Sequence, residues 1–247
     1  MAEWFDNWFD SPYYHELYFK RDQQEATSFI NALIKHLKPA DDSRMLDVAC
    51  GRGRHSLTLS KGPYHVTGID LSYQSIIAAK EAEQYNLEFF QHDMRLPFRI
   101  NYYDYAFNFF TSFGYFRTRR EHDAALRTIA RSLHLNGILV IDYLNTHYSE
   151  DHLIHETDVP SGAFNFHITK WMDETHFYKK IEVEHDQFTV PHIFTEKVSK
   201  FSLGDFTEML AFQGMQIQEV FGDYQFGTYH VRNKPRMIMI AKKIKSE

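Results

Sequence analysis

The sequence predicts an α/β fold: a mostly parallel sheet of seven strands with helices on both faces, an N-terminal helical cap, and an antiparallel β insertion after the fifth strand. Three observations carry this. Short apolar runs alternate with amphipathic stretches between residues 45 and 141. Glycine or aspartate stands where several of those runs end. Alternating apolar and polar residues then replace that pattern between residues 146 and 203.

Taken in order, Phe29, Ile30, Leu33, Ile34 and Leu37 repeat at helical spacing, and Pro39-Ala40-Asp41-Asp42 ends the pattern. Residues 1–40 are therefore read as the cap, and 41–247 as the main domain with its insertion at about 146–203. Strands are expected at Met45–Ala49, His65–Ile69, Leu87–Gln91, Tyr105–Phe110 and Ile138–Ile141. Helices are expected over 54–61, from Ser72, and over Arg119–Leu133, with a turn at Asn136-Gly137. Such alternation implies parallel strands joined by right-handed crossovers and covered on both faces. In the insertion, Phe164, Phe166 and Ile168 alternate with polar residues, as do Ile181 and Val183, and Asp173-Glu174 offers the turn between them. Ser202 and Asp205 fit a helix capping box, and Gly214 fits its stop. Gln216–Phe221 and Met237–Ala241 supply the last two strands, and Lys242-Lys243-Ile244-Lys245 reads as a solvated tail.

Composition narrows the function classes. The chain has 247 residues, 43% hydrophobic and 24% charged, which reads as globular. Aromatics at 16% suggest aromatic-lined pockets as well as a core. A net charge of −6 argues against a nucleic-acid partner. One cysteine forbids an intrachain disulfide. No signal core opens the sequence and no apolar run reaches membrane-spanning length, so a cytoplasmic protein without a membrane partner is expected, as monomer or homodimer.

The chemistry centres on Asp47-Val48-Ala49-Cys50-Gly51-Arg52-Gly53. Two glycines after a strand permit a tight turn, and the helix they open presents free amide donors to a ligand. The dinucleotide fingerprint requires a third glycine where Ser56 stands. Asp70 ends the second strand, where a carboxylate accepts ribose hydroxyls. Asp93 and Met94 follow the third, an acid and an apolar side chain suited to an adenine edge and face.

These pieces resemble the class I S-adenosylmethionine-dependent methyltransferases. The resemblance rests on Leu46–His55, Val66–Ser72 and Gln91–Phe98, in order and at strand ends, and covers about residues 40–145. It implies a Rossmann-like seven-stranded sheet with S-adenosylmethionine as cofactor. By that likeness Asp47, Ala49, Cys50, Gly51 and Gly53 line the cofactor, Asp70 takes the ribose, Leu71 packs on the adenine, and Asp93 and Met94 edge it. Tyr14 and Tyr18, four apart on one helix face, and Phe110 at the end of the fourth strand are read as further lining, and Arg21 as a partner for the cofactor carboxylate.

The stretch Asn108–Phe116, the tyrosine-rich Tyr13–Tyr18 and Asp142-Tyr143-Leu144-Asn145 resemble a subgroup with small-molecule or uncharacterised acceptors. In that family the β insertion roofs the acceptor pocket. His147, Tyr143 and Tyr115 follow strands four and five and are the candidate bases; none is assigned. Cys50 lacks an activating neighbour and is read as a packing residue, not a nucleophile. His147, Glu150, His152, His155 and Glu156 match no zinc spacing, so no metal is expected. The rival readings are a nicotinamide-dependent oxidoreductase and a non-catalytic S-adenosylmethionine-binding protein.

Overall fold

The computed structural model describes residues 6–18 and 23–245. Seven strands form the main sheet: β1 (Arg44–Val48), β2 (His65–Asp70), β3 (Leu87–Gln91), β4 (Tyr103–Asn108), β5 (Leu133–Leu144), β10 (Met215–Phe221) and β11 (Arg236–Lys243). Their order is β10-β11-β5-β4-β1-β2-β3. β1 to β5 pair in parallel, while β11 runs antiparallel to β5 and to β10. The strand order reverses between β1 and β4, and open α/β sheets bind ligands beyond the strand C-termini at such a point.

Each central strand is apolar on both sides because both faces are covered. On one face α3 (Gln23–Leu37), α4 (Arg54–Leu59) and α5 (Tyr73–Lys80) bury Phe29, Ile30, Leu33, Leu59, Ile76 and Ala79 against Met45, Val66 and Phe107. On the other, α6 (Arg119–Ser132) and α8 (Leu203–Phe212) bury Leu126, Ile129, Phe206 and Met209 against Leu46, Ala106 and Met239. α8 starts at the expected capping box, with Ser202 and Asp205 bonded reciprocally. Gly214, at φ +68°, follows its end.

The insertion consists of α7 (Thr146–Asp151) and a four-stranded antiparallel meander, β6 (Glu156–Ser161), β7 (Phe164–Met172), β8 (His176–Glu184) and β9 (His192–Ser199). Asp173 holds the β7–β8 turn by accepting from the backbone N–H groups of Thr175 and His176, both at 2.7 Å. The inner face of this sheet buries Phe166, Ile168, Ile181 and Val183 around Trp8. Trp8 belongs to α1 (Asp6–Phe9), and α2 (Pro12–Tyr18) packs on the same face through Tyr13 and Tyr14. The two N-terminal helices thus belong with the insertion, and α3 with the main sheet.

Two local expectations are corrected. Asn136-Gly137 is not a turn ahead of the fifth strand: β5 runs through it, with Asn136 at φ +69° and a register shift opposite Tyr103–Tyr105. The C-terminal lysines are not all a solvated tail. Lys243 ends β11 buried, and its ammonium donates to the Leu133 carbonyl at 2.8 Å.

Candidate functional site

The β1–α4 loop folds back on itself by placing Ala49, Gly51 and Gly53 at φ +60°, +55° and +78°. The two glycines serve different ends. A Cβ on Gly53 would lie 2.4 Å from the Phe89 ring, so Gly53 lets the loop pack on β3. A Cβ on Gly51 would meet nothing within 4 Å, so this side of the loop faces open cleft. Asp47 does not line the cleft as expected. It is buried beneath the loop and accepts from the Ser56 hydroxyl at 2.6 Å. Ser56, in place of a third glycine, therefore ties α4 to β1. Burial, reinforced by nearby Asp70, raises the Asp47 pKa to about 7. Burial likewise pushes the Cys50 thiol up, which suits packing rather than attack.

Asp70 reaches the cleft from the end of β2. The Gly51 N–H donates to its Oδ2 and the Ser72 N–H to its Oδ1, each at 2.8 Å. A carboxylate has about four lone-pair sites, so these bonds leave acceptor capacity for a hydroxyl. Burial pushes Asp70 up, against the pull of these backbone donors. Beside it, Leu71 is 38% exposed and Met94 half-buried, and both line the cleft. Asp93 lines the cleft as expected, but its carboxylate is already engaged. Its two oxygens accept from the Arg95 backbone and guanidinium at 2.7–3.1 Å, and Arg95 continues to Glu121 at 3.0 Å. Against the push of burial, Arg95 holds Asp93 below the usual carboxylate range. Its carboxylate therefore positions Arg95 instead of standing open for an adenine amino group.

Past β4, Phe110 and Thr111 both adopt left-handed backbone, at φ +56° and +59°. Bulky residues rarely do so, and such strain clusters at functional sites. Fully buried Asp142 fixes this turn. Its Oδ2 accepts from the Phe110 N–H at 2.8 Å, and its backbone carbonyl accepts from the Thr111 N–H at 2.9 Å. Arg236 donates to Asp142 Oδ1 at 2.7 Å and to the Thr111 hydroxyl at 3.1 Å, and the Tyr224 hydroxyl donates to Asp142 Oδ2 at 3.1 Å. His55 stacks on the Phe110 ring, with centroids 5.1 Å apart. Burial, aided by Arg54, lowers its pKa to about 3.

The cleft encloses about 1,410 Å³. Small-molecule pockets usually measure about 300–1,000 Å³, so there is room for two ligands side by side. Tyr14, Tyr18, Phe110 and Tyr115 line it as expected. Tyr143 and His147 do not. The Tyr143 hydroxyl is buried and donates to the Ser199 carbonyl at 2.5 Å, and His147 pairs with Glu150 at 3.1 Å. Both are thereby set aside as bases. Arg21 lies outside the described residues. The N-terminal segment is fastened over the cleft by Asp10, which accepts from the Ser72 hydroxyl at 2.7 Å and the Gln74 N–H at 3.0 Å.

Sequence reading missed His15, Lys170, Lys179, Glu196 and Arg236 in the lining. His15 stands one residue from Tyr14 in a stretch already singled out. Its Nε2 is buried without a hydrogen-bond partner among the described residues, and burial with nearby Arg52 lowers its pKa to about 4. The others come from distant strands, and no local signal marks them.

Residues 45–137 match the family model described as a methyltransferase domain. Over 123 residues the chain is 30% identical to the dTDP-3-amino-3,4,6-trideoxy-alpha-D-glucopyranose N,N-dimethyltransferase of Streptomyces venezuelae, an alignment covering 49% of this chain and 51% of that one. The chain spans about half the length of the curated relatives it matches. Among solved structures, an S-adenosylmethionine-dependent methyltransferase from Clostridium acetobutylicum superposes with TM-score 0.75 at 13% identity, covering 93% of this chain and 96% of that one. An amino pentose methyltransferase from Micromonospora echinaspora, solved with S-adenosylmethionine bound, superposes with TM-score 0.68 at 19% identity, covering 94% and 97%. At these identities the superpositions establish the shared fold.

Proposed function

We propose that the chain is a class I S-adenosylmethionine-dependent methyltransferase, which transfers the methyl group of S-adenosylmethionine directly to a nucleophile on a small molecule. One observation carries the reading. Gly51 leaves open space beside the Asp70 carboxylate, which keeps acceptor capacity, at the point where the strand order reverses.

The residues present fit the cofactor. Asp70 would accept the ribose hydroxyls, Leu71 and Met94 would hold the adenine between apolar surfaces, and the Ala49–Gly53 backbone would face the methionyl part. Tyr14 would offer an aromatic face to the sulfonium, which favours a cation. When bound, S-adenosylmethionine supplies a methyl group already activated by a positive sulfur. The protein's work is then alignment of the acceptor and exclusion of water. The N-terminal helices and the insertion sheet cover the cleft for that purpose. Tyr115 is the one candidate base that lines it, and we place its hydroxyl beside the acceptor.

A small-molecule acceptor is supported by the two sugar-methylating relatives, by their names. Net charge −6 speaks against nucleic acid. A cytoplasmic location is part of the same proposal, supported by the lone buried thiol of Cys50. Among the described residues no helix is long and apolar enough to cross a membrane. The nicotinamide reading is set aside because Ser56 ties down the loop where a dinucleotide fold needs glycine.

Calorimetric titration tests the proposal. S-adenosylmethionine and S-adenosylhomocysteine should bind one per chain, and reduced nicotinamide dinucleotides should not. Binding of the dinucleotides alone would overturn it. A radiolabelled-methyl assay across a panel of small amines, alcohols and acids separates an enzyme from a non-catalytic binding protein.

A further inference from the structure

The roof of the cleft carries charge where a sheet face is otherwise apolar. Strand register on the inner face of the insertion sheet aligns Thr157, Ile168, Ile181 and Phe194 in one row. Farther along, Met172, Phe177 and Val198 align in another. Between these rows stand Lys170, Lys179 and Glu196, directly opposite one another across β7, β8 and β9. All three line the cleft.

Like charges placed directly opposite destabilise a sheet, and Lys170 and Lys179 stand so on β7 and β8. Glu196 already serves three donors. Its Oε1 accepts from Trp8 Nε1 at 2.7 Å and from the Tyr18 hydroxyl at 2.9 Å, and its Oε2 lies 3.7 Å from Lys179 Nζ. Lys179 also contacts the Tyr18 hydroxyl. Arg236, another basic side chain in the lining, is committed to Asp142. Lys170 is half-buried. It presents to the cleft, beside Lys179, an ammonium with no carboxylate at ion-pair distance among the described residues.

We propose that the methyl acceptor carries an oxyanion, a phosphate or a carboxylate, which docks between Lys170 and Lys179. This rests on reading the cleft as a methyl-transfer site, and it names the substrate class of that site. A bound oxyanion relieves the repulsion between the two lysines and forms charge-assisted hydrogen bonds with their half-buried side chains.

The test uses the full chain saturated with S-adenosylhomocysteine, titrated calorimetrically with pyrophosphate and separately with malonate at ionic strength held constant by chloride. Saturable binding of at least one anion is expected; pyrophosphate alone would assign a phosphate, malonate alone a carboxylate. Lys170→Met should lower that affinity about tenfold or more. Lys170→Arg should retain it, and both variants should bind S-adenosylhomocysteine as the wild type does. Absence of saturable anion binding, or an unchanged affinity in Lys170→Met, overturns the proposal. So does a matching loss of S-adenosylhomocysteine affinity in Lys170→Met, because the lysine would then serve the cofactor's own carboxylate. Failure of the wild type to bind S-adenosylhomocysteine is read in a separate titration and refutes the cofactor assignment itself.

Discussion

Replacing Gly51 by alanine separates folding from cofactor binding. The backbone at Gly51 has φ +55°, a conformation that costs an L-residue about 1–2 kcal/mol. No steric cost adds to this in the free protein, because the new methyl group meets nothing within 4 Å. For a chain of this size that corresponds to a Tm lower by roughly 2–8 °C. Binding is affected differently. The methyl group projects into the space assigned to the cofactor, and an overpacked contact costs about 1–3 kcal/mol, or about 5- to 150-fold in affinity. Differential scanning calorimetry reads the first quantity and isothermal titration with S-adenosylhomocysteine the second. A Gly51→Ala protein with the expected modest Tm loss but wild-type affinity would refute the assignment of this open space to the cofactor.

The other loop glycine should behave in the opposite way. Gly53→Ala adds a clash with the buried Phe89 ring at 2.4 Å to the cost of φ +78°, so a stability loss of about 2–5 kcal/mol is expected by denaturant titration. A loss under about 1 kcal/mol would show that Phe89 yields freely. Asp47, with its pKa raised from 3.8 to about 7, contributes stability that is full below about pH 4 and is lost as pH rises through 7. Over that interval the loss is on the order of 4 kcal/mol. Asp47→Asn keeps an acceptor for Ser56, so its stability relative to wild type should improve from pH 5 to pH 8; a difference independent of pH would contradict the raised pKa. Arg236→Met strands the fully buried Asp142 carboxylate and should cost about 3–5 kcal/mol. Adding Asp142→Asn should recover part of that loss, whereas strictly additive losses would mean that the pair is not coupled.

How much of this was legible in the sequence depended on the range of the interaction involved. The strand–glycine–helix unit and the carboxylate ending β2 are set within a few residues, so Gly51 and Asp70 stood out at once. The β insertion declared itself through the alternation at Phe164, Phe166 and Ile168. Asp47 and Asp93 looked like ligand residues because strand ends face the cleft. Only three dimensions show Asp47 turned under the loop to Ser56 and Asp93 clasped by Arg95. Tyr143 failed as a candidate base for a related reason: alternation along β5 sends it into the α8 side of the core, against Phe206. The charged row Lys170, Lys179 and Glu196 was out of reach. Each is an ordinary polar residue on its own strand, and their alignment depends on a register between strands that sequence spacing does not supply.

A crystal structure of the chain with S-adenosylhomocysteine tests the central claim most directly. The account predicts the ribose hydroxyls on Asp70, the adenine between Leu71 and Met94, and the methionyl part against Gly51. The sulfur should face the part of the cleft roofed by the insertion sheet. A ligand bound elsewhere, or one that leaves Asp70 with only its backbone partners, would contradict it.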